Sequence, residues 1–135
     1  MTDARSRQAD ALIDGLHREA GGRLTIFLGA APGVGKTYTM LSRARELRKQ
    51  GVDVVIGVVE THGRSETAAL TEGLEVVPRK RVGYQGRWLD EMDLDALLAR
   101  RPKVALVDEL AHRNAPGSRH ERRWQDVMEL LEAGI

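Results

Sequence analysis

The sequence predicts an α/β domain built on a parallel sheet with helices on both faces. Three observations carry that expectation. The short runs Leu24–Leu28, Val52–Val59 and Val104–Val107 are rich in apolar and β-branched residues on both faces, as strands covered from both sides must be. Segments with apolar residues at helical spacing separate them, so strand and helix alternate. A glycine-rich loop lies where the first run hands over to the first of these helices. Such alternation implies parallel strands joined by right-handed crossovers, with a ligand at their carboxyl ends.

The elements follow in order. Ala4 to Ala20 places Ala9, Leu12, Ile13 and Leu16 at helical spacing among charges and stops at Gly21-Gly22, predicting an amino-terminal helical extension over 1–22. After the strand at Leu24–Leu28 and the turn at Gly29–Gly35, Lys36 to Gln50 predicts a helix. It carries Tyr38, Met40, Leu41, Ala44 and Leu47, has cations at its negative end, and closes at Gly51. Val52–Val59 is the second strand, and Glu60–Arg64 a polar loop. Ser65 is the expected N-cap, with Glu66 in the first turn, of a short helix running to Gly73. Glu75–Pro78 and Val82–Tyr84 are weaker strand candidates. A helix beginning at Trp88 or Asp93 runs to Arg100 and is halted by Pro102. Val104–Val107 ends in Asp108-Glu109, and Arg119–Glu132 predicts an amphipathic helix with Trp124, Val127, Met128, Leu130 and Leu131 inward. Gly134-Ile135 looks like the handover to a further strand, so the domain over 23–135 is expected to be cut before it is complete.

Composition removes several classes of function. With 21 Lys plus Arg against 20 Asp plus Glu, the chain is not a generic polyanion binder. A hydrophobic share of 41% supports a packed core within a single domain. The absence of cysteine excludes disulfides, thiolate metal sites and cysteine nucleophiles. No apolar run approaches the roughly 20 residues of a membrane helix, and Met1–Ala20 lacks a signal-peptide centre, so a soluble, cytoplasmic segment without direct membrane contact is expected.

Chemistry concentrates in Ala30-Ala31-Pro32-Gly33-Val34-Gly35-Lys36-Thr37, which follows a strand and opens a helix as a Walker A loop does. Gly33 and Gly35 let successive N–H groups converge on a phosphate oxygen, and the helix beginning near Lys36 adds its positive end. Lys36 reaches the β and γ phosphates, and the Thr37 hydroxyl can ligand magnesium. The usual first glycine is Ala30, so only the relaxed form of the pattern is met. Ala31, Pro32, Gly33, Val34, Gly35, Lys36, Thr37 and Tyr38 are the candidate contacts to ATP, in a fold of P-loop NTPase type.

Asp108, at the end of an apolar strand, fits a Walker B acid and pairs with Thr37 as a magnesium contact; Glu109 is the candidate catalytic residue, orienting or deprotonating a water. Binding alone and slow hydrolysis are equally compatible with these residues. Arg113, Arg119, Arg122 and Arg123 could balance transition-state charge, but nothing assigns one, and a solvated basic helix start is the plainer reading. His62, at the carboxyl end of the second strand, is either a γ-phosphate sensor or base or a loop histidine bonded to backbone. Arg79-Lys80-Arg81 reads as exposed charge, and no basic stripe interleaved with aromatics points to nucleic acid.

Gly29–Thr37, Gly57-Val58-Val59-Glu60-Thr61-His62-Gly63-Arg64, Asp108-Glu109-Leu110-Ala111-His112 and Asn114-Ala115-Pro116-Gly117-Ser118-Arg119-His120 together resemble the amino-terminal domain of the KdpD family of potassium and osmotic-stress sensor histidine kinases. The similarity runs from about Arg23 to Ile135. It implies a cytoplasmic, ATP-binding domain, with homodimerisation an option of the full protein, followed by a universal-stress-protein-like domain, membrane helices in the bacterial inner membrane and a kinase core. The implied role is to set the balance of kinase and phosphatase activity, acting through a response regulator on high-affinity potassium uptake. None of His17, His62, His112 and His120 has a kinase H-box context. The rival readings are a free-standing NTPase or small-molecule phosphotransferase, and a RecA-type ATPase stimulated by nucleic acid.

Overall fold

The computed structural model describes residues 22–26, 36–61 and 64–135. The expected helix at Ala4–Ala20, the turn at Gly29–Gly35, and Phe27, Leu28, His62 and Gly63 lie outside them. Helix α1 spans Lys36–Lys49 and buries Thr37, Met40, Leu41 and Ala44. Gly51 ends it with φ 86°, while Gly51 N–H donates to Arg48 O (3.0 Å) and Val52 N–H to Leu47 O (3.0 Å). This paired closure is open to a residue that tolerates left-handed backbone.

Strand β1, Val54–Val58, is buried along its whole length. It pairs in parallel with β2, Glu75–Val76, on one side and with β5, Val104–Val107, on the other, giving the order β2-β1-β5. Val54 and Ile56 pack with Met40, Leu41, Ala44 and Leu106 on the α1 side. Val55 packs on the opposite side with Met92, Leu94, Leu97 and Leu130. Strict alternation would return Val58 to the α1 side, yet it lies with Val55. The register against β5 slips between Ile56 and Val58, at Gly57, and turns Val58 across the sheet.

The second face is covered by α3, Leu94–Arg100, and α4, Arg123–Glu132. Asp93 caps α3 by accepting from Ala96 N–H at 3.0 Å. Arg100, at its last turn, clamps Asp53 with two bonds of 2.8 and 2.7 Å and reaches Glu75 at 2.9 Å, tying the start of β1 to β2.

Several expectations are corrected. The parallel sheet has three strands among the described residues. Leu24 to Ile26 is irregular, and just before it Gly22 N–H donates to Leu131 O (3.0 Å) at the end of α4. Trp88 is in a strand and starts no helix. Strands β3, Lys80–Tyr84, and β4, Arg87–Glu91, form a separate antiparallel hairpin. Its two-residue turn, Gln85-Gly86, has positive φ at both positions (48° and 75°). Helix α2, Ser65–Ala69, takes Arg64 as N-cap without a side-chain capping bond, so Ser65 is already helical. α4 begins at Arg123 and not at Arg119. Its buried face is Arg123, Asp126, Val127, Leu130 and Leu131, which leaves Trp124 51% exposed.

Candidate functional site

Lys36 and Thr37 open α1, Glu60 follows β1, and Asp108 follows β5, so the carboxyl edge of the sheet and the positive end of a helix meet at one place. Asp108 N–H extends the ladder to Val58 O at 2.9 Å, which fixes where its side chain leaves the sheet. That carboxylate is only 6% exposed. Oδ2 accepts from Glu60 N–H at 3.2 Å and from the Thr37 hydroxyl at 3.4 Å. Oδ1 accepts from Glu109 N–H at 2.9 Å and stands 3.9 Å from Lys36 Nζ. The Thr37 hydroxyl thus bonds an acid 71 positions away in sequence.

The remaining expected residues divide. Ala31, Pro32, Gly33, Val34 and Gly35 lie outside the described residues. Tyr38 is on α1 and 50% exposed. Glu109 is half-buried beside Asp108, in left-handed backbone with φ 55°. His112 Nε2 meets Glu91 at 2.9 Å, and His120 Nε2 meets Glu129 at 2.8 Å. Arg113 pairs with Glu121 (3.0 Å), Arg119 with Asp95 (2.8 Å), and Arg122 donates to Ala111 O (3.3 Å).

Of the arginines read as exposed charge, Arg79 is exposed as expected yet engaged, whereas Arg123 is buried. Arg79 donates to Val59 O at 3.1 Å and pairs with Glu60 at 2.8 Å, on the rim of the site. Arg123 is 3% exposed, with NH1 donating to the main-chain oxygen of Asp108 at 3.0 Å and NH2 lying 3.6 Å from Glu91. Burial pushes its pKa down against the pull of Glu91 and Glu109. Burial likewise raises Asp126 above the usual carboxylate range, ahead of the opposing Asn114 hydrogen bond. The one sequence signal for Arg123 was its place four residues before Val127 on the same helical face.

No group of three or more His, Asp or Glu suited to a metal occurs among the described residues. Thr37 and Asp108 offer one hydroxyl and one carboxylate, a hard oxygen set. It fits a magnesium ion that arrives with a polyphosphate better than a resident ion.

A family model described as the KdpD osmosensitive K+ channel His kinase sensor domain matches residues 20–135. The chain belongs to the KdpD family. Among KdpD relatives, the sensor protein KdpD of Escherichia coli strain K12 is 60% identical over 126 residues, 93% of this chain and 14% of its own length. That of Mycobacterium tuberculosis strain H37Rv is 58% identical over 114 residues, 84% of this chain and 13% of the relative. That of Clostridium acetobutylicum is 51% identical over 114 residues, again 84% and 13%. The chain therefore spans about a seventh of the length of these three relatives. No helix among the described residues is long and apolar enough to cross a membrane.

Proposed function

We propose that this chain is the ATP-binding regulatory input domain of a KdpD-type two-component sensor histidine kinase controlling high-affinity potassium uptake. The carrying observation is the convergence of Lys36, Thr37 and Asp108 at the start of α1 and the end of β5, at distances of 3.4 and 3.9 Å to one buried carboxylate. In this reading the fold is P-loop NTPase-like, and of the loop residues Ala31, Pro32, Gly33, Val34 and Gly35 all but Pro32, which has no N–H, offer main-chain donors to the phosphates. Lys36 holds the β and γ phosphates by charge, and Thr37 with Asp108 holds magnesium, which neutralises phosphate charge when bound. The N–H groups of Glu60 and Glu109 hold the Asp108 carboxylate in place beside Thr37. Glu109 orients any water that attacks, and no residue is assigned to balance transition-state charge, so binding with slow turnover or none fits these residues.

The wider role also rests on the family. The domain is expected on the cytoplasmic side of the bacterial inner membrane, where it passes its nucleotide state to the rest of the kinase and so to a response regulator. Homodimerisation belongs to the full protein.

Titration calorimetry of ATP, ADP and GTP with magnesium, on this chain and its Lys36→Ala variant, tests the reading. ATP binding lost by about 100-fold in Lys36→Ala, with unchanged thermal unfolding, is expected. Equal binding by both proteins would remove Lys36 from the site. Rapid phosphate release by the wild-type chain alone would point instead to a free-standing NTPase.

A further inference from the structure

We infer that Arg123 is the positioning residue of the Asp108 turn, one buried cation that fixes the main chain behind the magnesium-binding carboxylate and anchors it to Glu91 at the end of β4. The inference rests on the proposed role of Asp108.

The turn it supports is not self-sufficient. Glu109 has φ 55°, a left-handed conformation that strains a non-glycine residue. The start of α4 holds it from behind. Arg123 N–H donates to His112 O (3.0 Å), Trp124 N–H to Leu110 O (3.2 Å), and the Arg123 guanidinium to Asp108 O (3.0 Å). Only the last of these reaches the residue that carries the carboxylate.

The chemistry of Arg123 is costly for a residue that merely fills space. Its Nε is buried without a hydrogen-bond partner, and its approach to Glu91, at 3.6 Å, is an ion pair without a close hydrogen bond. A buried pair of this quality gains little over apolar side chains of similar volume. What an apolar side chain could not supply is the bond to Asp108 O. Glu91, itself 7% exposed, also accepts from Ala115 N–H at 3.1 Å and meets His112 Nε2 at 2.9 Å. The loop from Asp108 to Ala115 is thereby gripped at both ends, by Arg123 at one and by Glu91 at the other.

Arg123→Lys and Arg123→Met test this with two readouts. The first needs no nucleotide: amide hydrogen exchange at Glu60 and Glu109, the two main-chain donors to the Asp108 carboxylate. Both amides are expected to exchange about fivefold faster in the variants, with Leu41 and Ala44 in α1 unchanged. The second is the ratio of ATP affinity with magnesium to that in EDTA, expected to fall about tenfold while the EDTA value stays within about twofold. Exchange accelerated evenly across the chain, or unchanged at Glu60 and Glu109, overturns the inference, as does an equal loss of affinity with and without magnesium. Should Arg123→Met unfold, Arg123→Lys decides, since it keeps the charge yet cannot reach Asp108 O and Glu91 together. A wild-type chain that binds no ATP in either condition ends the functional reading, while the exchange measurement still tests whether Arg123 sets the turn.

Discussion

Asp108→Asn takes one charge and one acceptor from the point where α1, β1 and β5 meet. The native carboxylate receives Glu60 N–H on Oδ2 at 3.2 Å and Glu109 N–H on Oδ1 at 2.9 Å. Asparagine has one acceptor oxygen, so whichever way its amide faces, its NH2 confronts one of those main-chain donors. A buried donor left facing another donor costs about 1–3 kcal/mol. At about 3 °C per kcal/mol for a domain of this size, the melting temperature is expected to fall by about 3–9 °C. Binding adds a separate loss. A neutral amide is a poor partner for magnesium, so the magnesium-dependent gain in ATP affinity is expected to drop about 10–100-fold, with affinity in EDTA nearly preserved. Calorimetric titration in magnesium and in EDTA, beside a thermal melt, separates the two effects. A lowered melting temperature with the magnesium gain intact would refute Asp108 as a metal contact. An unchanged melting temperature would refute the hydrogen-bond argument.

Three further outcomes are expected. A Cβ at Gly57 would lie 2.9 Å from Leu97 Cδ1 and 3.2 Å from Leu106 O, so Gly57→Ala should destabilise by about 1–3 kcal/mol. Leu97→Ala alone should cost about 2–5 kcal/mol, and chemical denaturation should show the double variant less destabilised than the sum of the two. The Arg100 guanidinium holds Asp53 and Glu75 below the usual carboxylate range. The stability this contributes is present above the unfolded carboxylate pKa of about 4 and lost as pH falls through the lowered folded values, so Arg100→Met should flatten the acid limb of a pH–stability curve. Asp126 is shifted upward by burial, so ionisation opposes folding above its folded pKa and ceases to matter below its unfolded one. Asp126→Asn should therefore raise the melting temperature at pH 7, with no gain below about pH 3.

What could be read from the chain without coordinates was local. Helix α1 was legible because its apolar spacing, late cations and Gly51 agree. Strands β1 and β5 were legible because continuous Val, Ile and Leu runs suit a sheet covered on both faces. Asp108 was legible as the acid at the end of such a strand. The hairpin was missed because Trp88-Leu89-Asp90-Glu91-Met92 carries no period that separates strand from helix. The Gln85-Gly86 turn, and the stacking of Arg81 over Trp88 at 5.2 Å, decide it.

By itself the sequence determined the alternation of strands and helices, the family, and the residue types able to hold phosphate and magnesium. Those follow from spacing along one dimension, and from chemistry that each side chain carries wherever it lies. Only the tertiary structure decided that Val58 crosses the sheet at Gly57, that Arg79 returns to Glu60, and that Arg123 leaves solvent to stand behind Asp108. Each is a contact between segments far apart in the chain, settled by packing and by the need of buried polar groups for partners, and neither leaves a periodic trace in the order of residues.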